Sequence, residues 1–231
     1  MISKQIKFLF GAACVAAAFA SGSASAAATT VALTGSNTDI RSYSDGSVYS
    51  PLYDSTQTLA GVPFAFAALA GQTAITGGPV TLTTSIANPG TVYTLVNSAF
   101  GNNGSNAGNI TFNATGGLSY TVQFIEGDNI RDHYNGFFVN STTSPSVTQA
   151  VWGTNDPFTA HLDMQTIVLP SAFHSQTLTS IVFDSSGKDS STGIAFLAGL
   201  TVTPVPEPSE YAMLALGLGL LGLMKQRRSK T

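Results

Sequence analysis

Leu118-Ser-Tyr-Thr-Val-Gln-Phe-Ile125 alternates apolar and polar side chains along almost its whole length. Successive side chains of a strand point to opposite faces, so this stretch predicts a β-strand with one buried and one wet face. Similar runs lie on both sides of it, at residues 30–34, 80–86, 92–96, 109–112, 136–139, 165–169 and 178–183. The last is Ile194-Ala-Phe-Leu-Ala-Gly-Leu-Thr-Val202. Gly, Asn and Ser fill the gaps, as turns between antiparallel strands require. Residues 62–70 are alanine-rich, but Pro63 stands near their start and no polar face is present, so they read as buried strand or irregular core. The expected fold is all-β, an antiparallel jelly-roll-like sandwich over residues 27–203, with no fixed-period repeat.

Charge narrows the function. Only 9% of the 231 residues are charged, and most of the bases lie at the two ends. Residues 27–203 hold ten acids against Arg41, Arg131 and Lys188, a formal charge of −7. Such a surface repels phosphate backbones, so no nucleic-acid partner is expected. The single cysteine, Cys14, lies outside this region, which leaves the middle without a disulfide framework or a thiolate.

The first 26 residues predict a signal peptide. Lys4 and Lys7 precede an uncharged apolar run at residues 8–20, and Ala24-Ser-Ala26 offers the small side chains that signal peptidase needs, with cleavage after Ala26. At the other end, residues 204–231 change register abruptly. Pro204-Val-Pro-Glu-Pro208 can neither pair in a sheet nor enter a helix. Residues 211–224 then form an apolar helix, and Lys225, Arg227, Arg228 and Lys230 make a basic end over 225–230. At ~1.5 Å per residue the helix reaches only ~21 Å of a ~30 Å hydrocarbon layer, which suits a transient transmembrane anchor whose basic end stays cytoplasmic.

The order of Val205, Pro206, Glu207, Pro208 and Ser209, the short apolar helix and the basic terminus resembles the PEP-CTERM sorting signal. That resemblance covers the tail alone. It implies a Gram-negative bacterium that makes extracellular polysaccharide and an exosortase, a membrane protease or transpeptidase acting near Pro206-Glu-Pro208. The expected partners are therefore signal peptidase, exosortase, transiently the inner membrane, and an exopolysaccharide; the expected destination is the cell surface or the biofilm matrix. The order of the last strands is loosely similar to galactose-binding-like carbohydrate modules, which implies a fold and no ligand residue.

Glu126-Gly-Asp-Asn-Ile-Arg-Asp-His-Tyr-Asn-Gly136 is the densest polar stretch of the middle region. Three readings compete for Glu126, Asp128, Asn129, Arg131, Asp132, His133 and Tyr134. In one, amides, carboxylates and Arg131 bind sugar hydroxyls while Tyr134 faces a ring. In the second, Arg131 is a structural clasp paired with Asp128 or Asp132. In the third, Glu126, Asp128 and Asp132 hold calcium in an adhesion module, against the repulsion of Arg131 and without an established calcium-loop spacing. A secreted glycoside hydrolase using Glu126 and Asp163 is the enzymatic alternative, but nothing in the sequence brings the two together. No Gly-x-Ser-x-Gly elbow is present, and Asp184-Ser-Ser-Gly-Lys-Asp-Ser-Ser-Thr-Gly193 lacks phosphate-loop order and reads as a solvated hairpin loop. No catalytic residue, metal or cofactor is expected. His161 and Asp163 should share a strand face, and Trp152 should fill core.

Overall fold

The computed structural model describes residues 27–205 and Leu218. The expected signal peptide with Ala24 and Ala26, the motif residues 206–209, the expected apolar helix over 211–224 and the basic residues after it lie outside the described residues, Leu218 apart. Among the described residues no helix is long and apolar enough to cross a membrane.

The chain forms antiparallel sheets. One is six-stranded: β1 (Thr29–Thr30), β12 (Ile194–Pro204), β6 (Pro89–Ala99), β10 (His161–Val168) and β9 (Val147–Gly153) lie in that order, with β4 (Ile75–Thr76) paired to β12. The second has the order β5 (Val80–Ala87), β11 (Thr177–Asp184), β7 (Asn106–Ala114), β8 (Leu118–Ile125). A separate hairpin joins β2 (Ser55–Leu59) to β3 (Val62–Phe66).

Burial follows the side-chain period. In β8, an edge strand, Ser119, Thr121 and Gln123 are exposed while Phe124 is buried and Leu118, Tyr120 and Val122 pack on the core. Between the two sheets, Leu82, Ile110, Phe112, Phe124, Ile181 and Phe183 meet Val92, Val96, Leu197 and Leu200. Each of these fully buried side chains contributes about 1.5–3 kcal/mol relative to an exposed one. The opposite face of the six-stranded sheet is covered as well. Phe64 and Phe66 of the hairpin, with Ile40, Tyr49 and Leu52 from the 3₁₀ turns Ile40–Ser42 and Gly46–Leu52, close over Leu95, Leu162, Met164 and Phe196. Double coverage explains why β12 shows no alternation. A bulge between Leu197 and Gly199 adjusts its pairing with β6. A Cβ on Gly199 would come within 2.8 Å of Leu95 and 3.0 Å of Phe64, so the glycine lets both side chains close over the strand.

Several expectations need correction. Pro204, expected to be unable to pair in a sheet, is the last residue of β12 and stands opposite Pro89 of β6. Residues 136–139 are not a strand: they belong to a loop in which Phe137 is 89% exposed. Their apolar pair does not enter either sheet, and both rings stay exposed to solvent. The segment between Asp184 and Gly193 is no hairpin loop, because β11 and β12 belong to different sheets and the segment crosses from one to the other. Of residues 30–34, only Thr30 is in a strand. Of residues 62–70, expected as buried strand or irregular core, β3 takes Val62–Phe66, whereas Ala67, Leu69 and Ala70 are exposed and belong to no core.

Candidate functional site

The polar stretch after β8 is stitched across the ends of the six-stranded sheet by its backbone. Ser98 N–H donates to the Arg131 carbonyl at 3.0 Å and the Ser98 carbonyl accepts from His133 N–H at 2.8 Å, while His161 N–H donates to the His133 carbonyl at 2.9 Å. Consecutive residues therefore alternate in direction and meet different surroundings.

Arg131 points inward and is 1% exposed. Its Nε donates to Asp163 Oδ2 at 2.7 Å and its Nη2 to Asp163 Oδ1 at 2.8 Å, a two-pronged pair between fully enclosed charges. Nη1 also donates to the Asn140 carbonyl at 2.8 Å and Nη2 to Asn155 Oδ1 at 2.7 Å. Asp163 takes two more donors, Asn97 Nδ2 at 3.0 Å and Ala150 N–H at 2.7 Å. Arg131 is thus a clasp, but its partner is Asp163 and neither Asp128 nor Asp132. Asp132 is occupied by backbone instead, Oδ1 accepting from Tyr134 N–H at 2.7 Å and Oδ2 from Phe100 N–H at 2.6 Å. Asp128 is exposed and accepts from Thr143 Oγ1. Asn129 ties off the end of β8, accepting from Ile125 N–H and donating to the Gln123 carbonyl.

Glu126 is 1% exposed, and neither carboxylate oxygen has a hydrogen-bond partner. It packs against Gly101 and Gly193, both at positive φ, where a Cβ on Gly101 would come within 2.9 Å of Oε1 and one on Gly193 closer still. Burial pushes its carboxyl up to about 8, only partly opposed by the nearby Ser98 hydroxyl. Burial also raises Asp132, to about 6.

Two histidines meet at Tyr49. Tyr49 donates its hydroxyl to the His161 carbonyl at 2.9 Å and lies 3.1 Å from His133 Nδ1. Burial lowers both imidazoles to about 4 and holds them neutral. His161 and Asp163 do come together, Nε2 lying 3.8 Å from Oδ2. Trp152 packs partly buried on the second core and donates Nε1–H to the Val48 carbonyl at 2.8 Å.

Of the sugar-site candidates, Asp132, His133 and Tyr134 line one cavity of about 490 Å³. Tyr43, Phe100 and Phe138 supply its other rings, with Ser42, Ser44 and Thr76 contributing hydroxyls. Arg131 lines a separate groove of about 370 Å³ with Asn135, Asn140, Asn155 and Phe158. Glu126, Asp128 and Asn129 line neither. Outside the cavity the aromatic surface continues, Tyr134 to Phe158 at 6.2 Å between centroids and Phe158 to Phe137 at 5.8 Å. Sequence reasoning missed Tyr43, Phe100 and Phe138. The available signal was aromatic residues set in Ser- and Gly-rich text, as in Ser42-Tyr-Ser44 and Gly136-Phe-Phe138, where a loop rather than a strand presents them.

No family model matches the chain, and no curated protein matches it.

Proposed function

We propose that the chain is an exported surface or matrix protein whose middle domain is a non-enzymatic jelly-roll module that binds exopolysaccharide, delivered by exosortase through its PEP-CTERM tail. The strand orders β1-β12-β6-β10 and β5-β11-β7-β8 support the jelly roll, since they interleave two four-strand keys. The observation that carries the binding reading is the ring-lined cavity at the loop end of the sandwich. Aromatic faces there can hold the apolar side of a sugar ring, while Asp132 and three hydroxyl residues meet its edge. The sorting reading rests on the tail motif alone.

The hydrolase alternative has less support: Asp163 is saturated by Arg131, Asn97 and Ala150, and Glu126 is enclosed. So has the calcium alternative, since among the described residues no group of three or more acidic, His or Cys side chains converges on a metal position.

Two tests follow. On a glycan array read beside a hydrolysis assay, the full-length protein is expected to retain polysaccharide without releasing products, and Tyr134→Ala should weaken retention by about tenfold, the loss of roughly 1.4 kcal/mol of ring contact. Product release, or undiminished retention by that variant, would count against the reading. For sorting, alanines at Pro206, Glu207 and Pro208 should leave the protein at its unprocessed mass in the inner membrane; normal processing would remove the exosortase assignment.

A further inference from the structure

The proposed sugar cavity has a donor and acceptor balance that discriminates among sugars. Asp132 is its one lining residue with a formal charge, and no Lys or Arg lines it. Arg41, next to Ser42 in the chain, is turned away: Nε and Nη2 donate to Asp39 at 2.8 and 3.0 Å, and Nη2 also to the Gly71 carbonyl. Arg131 is consumed by Asp163.

His133 can be assigned by counting protons. Tyr49 has one hydroxyl hydrogen, and it goes to the His161 carbonyl, which can only accept. The 3.1 Å contact between Tyr49 Oη and His133 Nδ1 then requires Nδ1–H to donate. Because the ring is neutral, Nε2 carries no proton and is an acceptor. Each oxygen of Asp132 accepts one backbone N–H and keeps a second lone pair. The two fixed polar side chains of the lining, Asp132 and His133, are therefore acceptors, and the hydroxyls rotate to suit. A uronate would meet a carboxylate and no fixed cation. A protonated amine brings a positive charge and three donors, and the ring faces attract it further.

We propose that this cavity recognises the ammonium group of an amino sugar, a hexosamine unit without its acetyl group, with Asp132 and His133 as acceptors and Tyr43, Phe100, Tyr134 and Phe138 as walls. The inference rests on the carbohydrate reading of the same cavity. It adds a ligand class that the domain's acidic balance also favours.

Titration calorimetry of the full-length chain with glucosamine oligosaccharides, their N-acetylated counterparts and a glucose oligosaccharide of equal length tests it. The amine form is expected to bind about tenfold tighter or better than both others, as one charge-assisted hydrogen bond suggests. Asp132→Asn, checked for fold by circular dichroism, should bring the three near parity. Equal or tighter binding of the acetylated or plain sugar by the unaltered protein would overturn the amine assignment and leave the carbohydrate reading standing. The unaltered protein decides this whether or not the variant folds. Cyclohexylamine against cyclohexanol separates the remaining case: amine preference with no oligosaccharide bound overturns the inference together with the carbohydrate reading, and so does the absence of any binding.

Discussion

Arg131→Ala is expected to cost about 3–5 kcal/mol of stability, because it strips the partner from a carboxylate that has no access to water. Asp163 would keep only Asn97 and Ala150 as donors, and the Asn140 carbonyl and Asn155 Oδ1 would each lose theirs. At roughly 2–4 °C per kcal/mol for a domain of this size, the melting temperature should fall by about 6–20 °C. Arg131→Lys should recover less than half of the loss, since an ammonium cannot span both oxygens of Asp163 and still reach Asn155. Urea unfolding of the three proteins measures this. A loss under about 1 kcal/mol would mean that the pair behaves as a screened surface bridge.

The second large effect concerns Glu126 and has a definite direction with pH. An unfolded carboxyl ionises near 4.5, whereas the folded one holds its proton to about 8. The folded state is therefore the better proton binder in between, and stability declines as pH rises through that window, by at most roughly 5 kcal/mol. Asp132 acts in the same direction between 3.8 and about 6. His133 and His161 act oppositely: folding holds them neutral, so their contribution is complete above 6.5 and is lost as pH falls toward 4. Glu126→Gln keeps the shape and removes the ionisation. The stability difference between variant and parent should grow from about pH 5 to pH 8 and then level off, in thermal melts taken across that range. A difference independent of pH would show that Glu126 titrates as an ordinary exposed carboxyl.

Much of the architecture was legible in the amino-acid text because strand period and apolar patterning are local properties. Leu118–Ile125 is a strand with the bounds that its alternation suggested, and the runs within β5, β6, β7, β11 and β12 fall where apolar periodicity put them. Strand pairing, by contrast, depends on partners distant in the chain. Phe137 and Phe138 carry the composition of a strand but pair with no strand and stand on a loop. Val147–Gly153, with no clear alternation, becomes a strand because β10 offers it a pairing edge.

The candidate site divides in the same way. That residues 126–136 would be polar and crowded could be read from the order of residues alone, as could the acidic balance of the middle region. Which acid meets Arg131 could not be. Asp128 and Asp132 are nearer along the chain, yet the guanidinium crosses to Asp163 because the loop runs beside the end of β6 and turns alternate side chains to opposite sides. The cavity likewise gathers Tyr43, Phe100 and Phe138 with Asp132 through pairings between segments far apart in the chain. Propensity and period act over a few neighbouring residues; ion pairing and enclosure depend on distances through space, and those exist only once the sheets have packed.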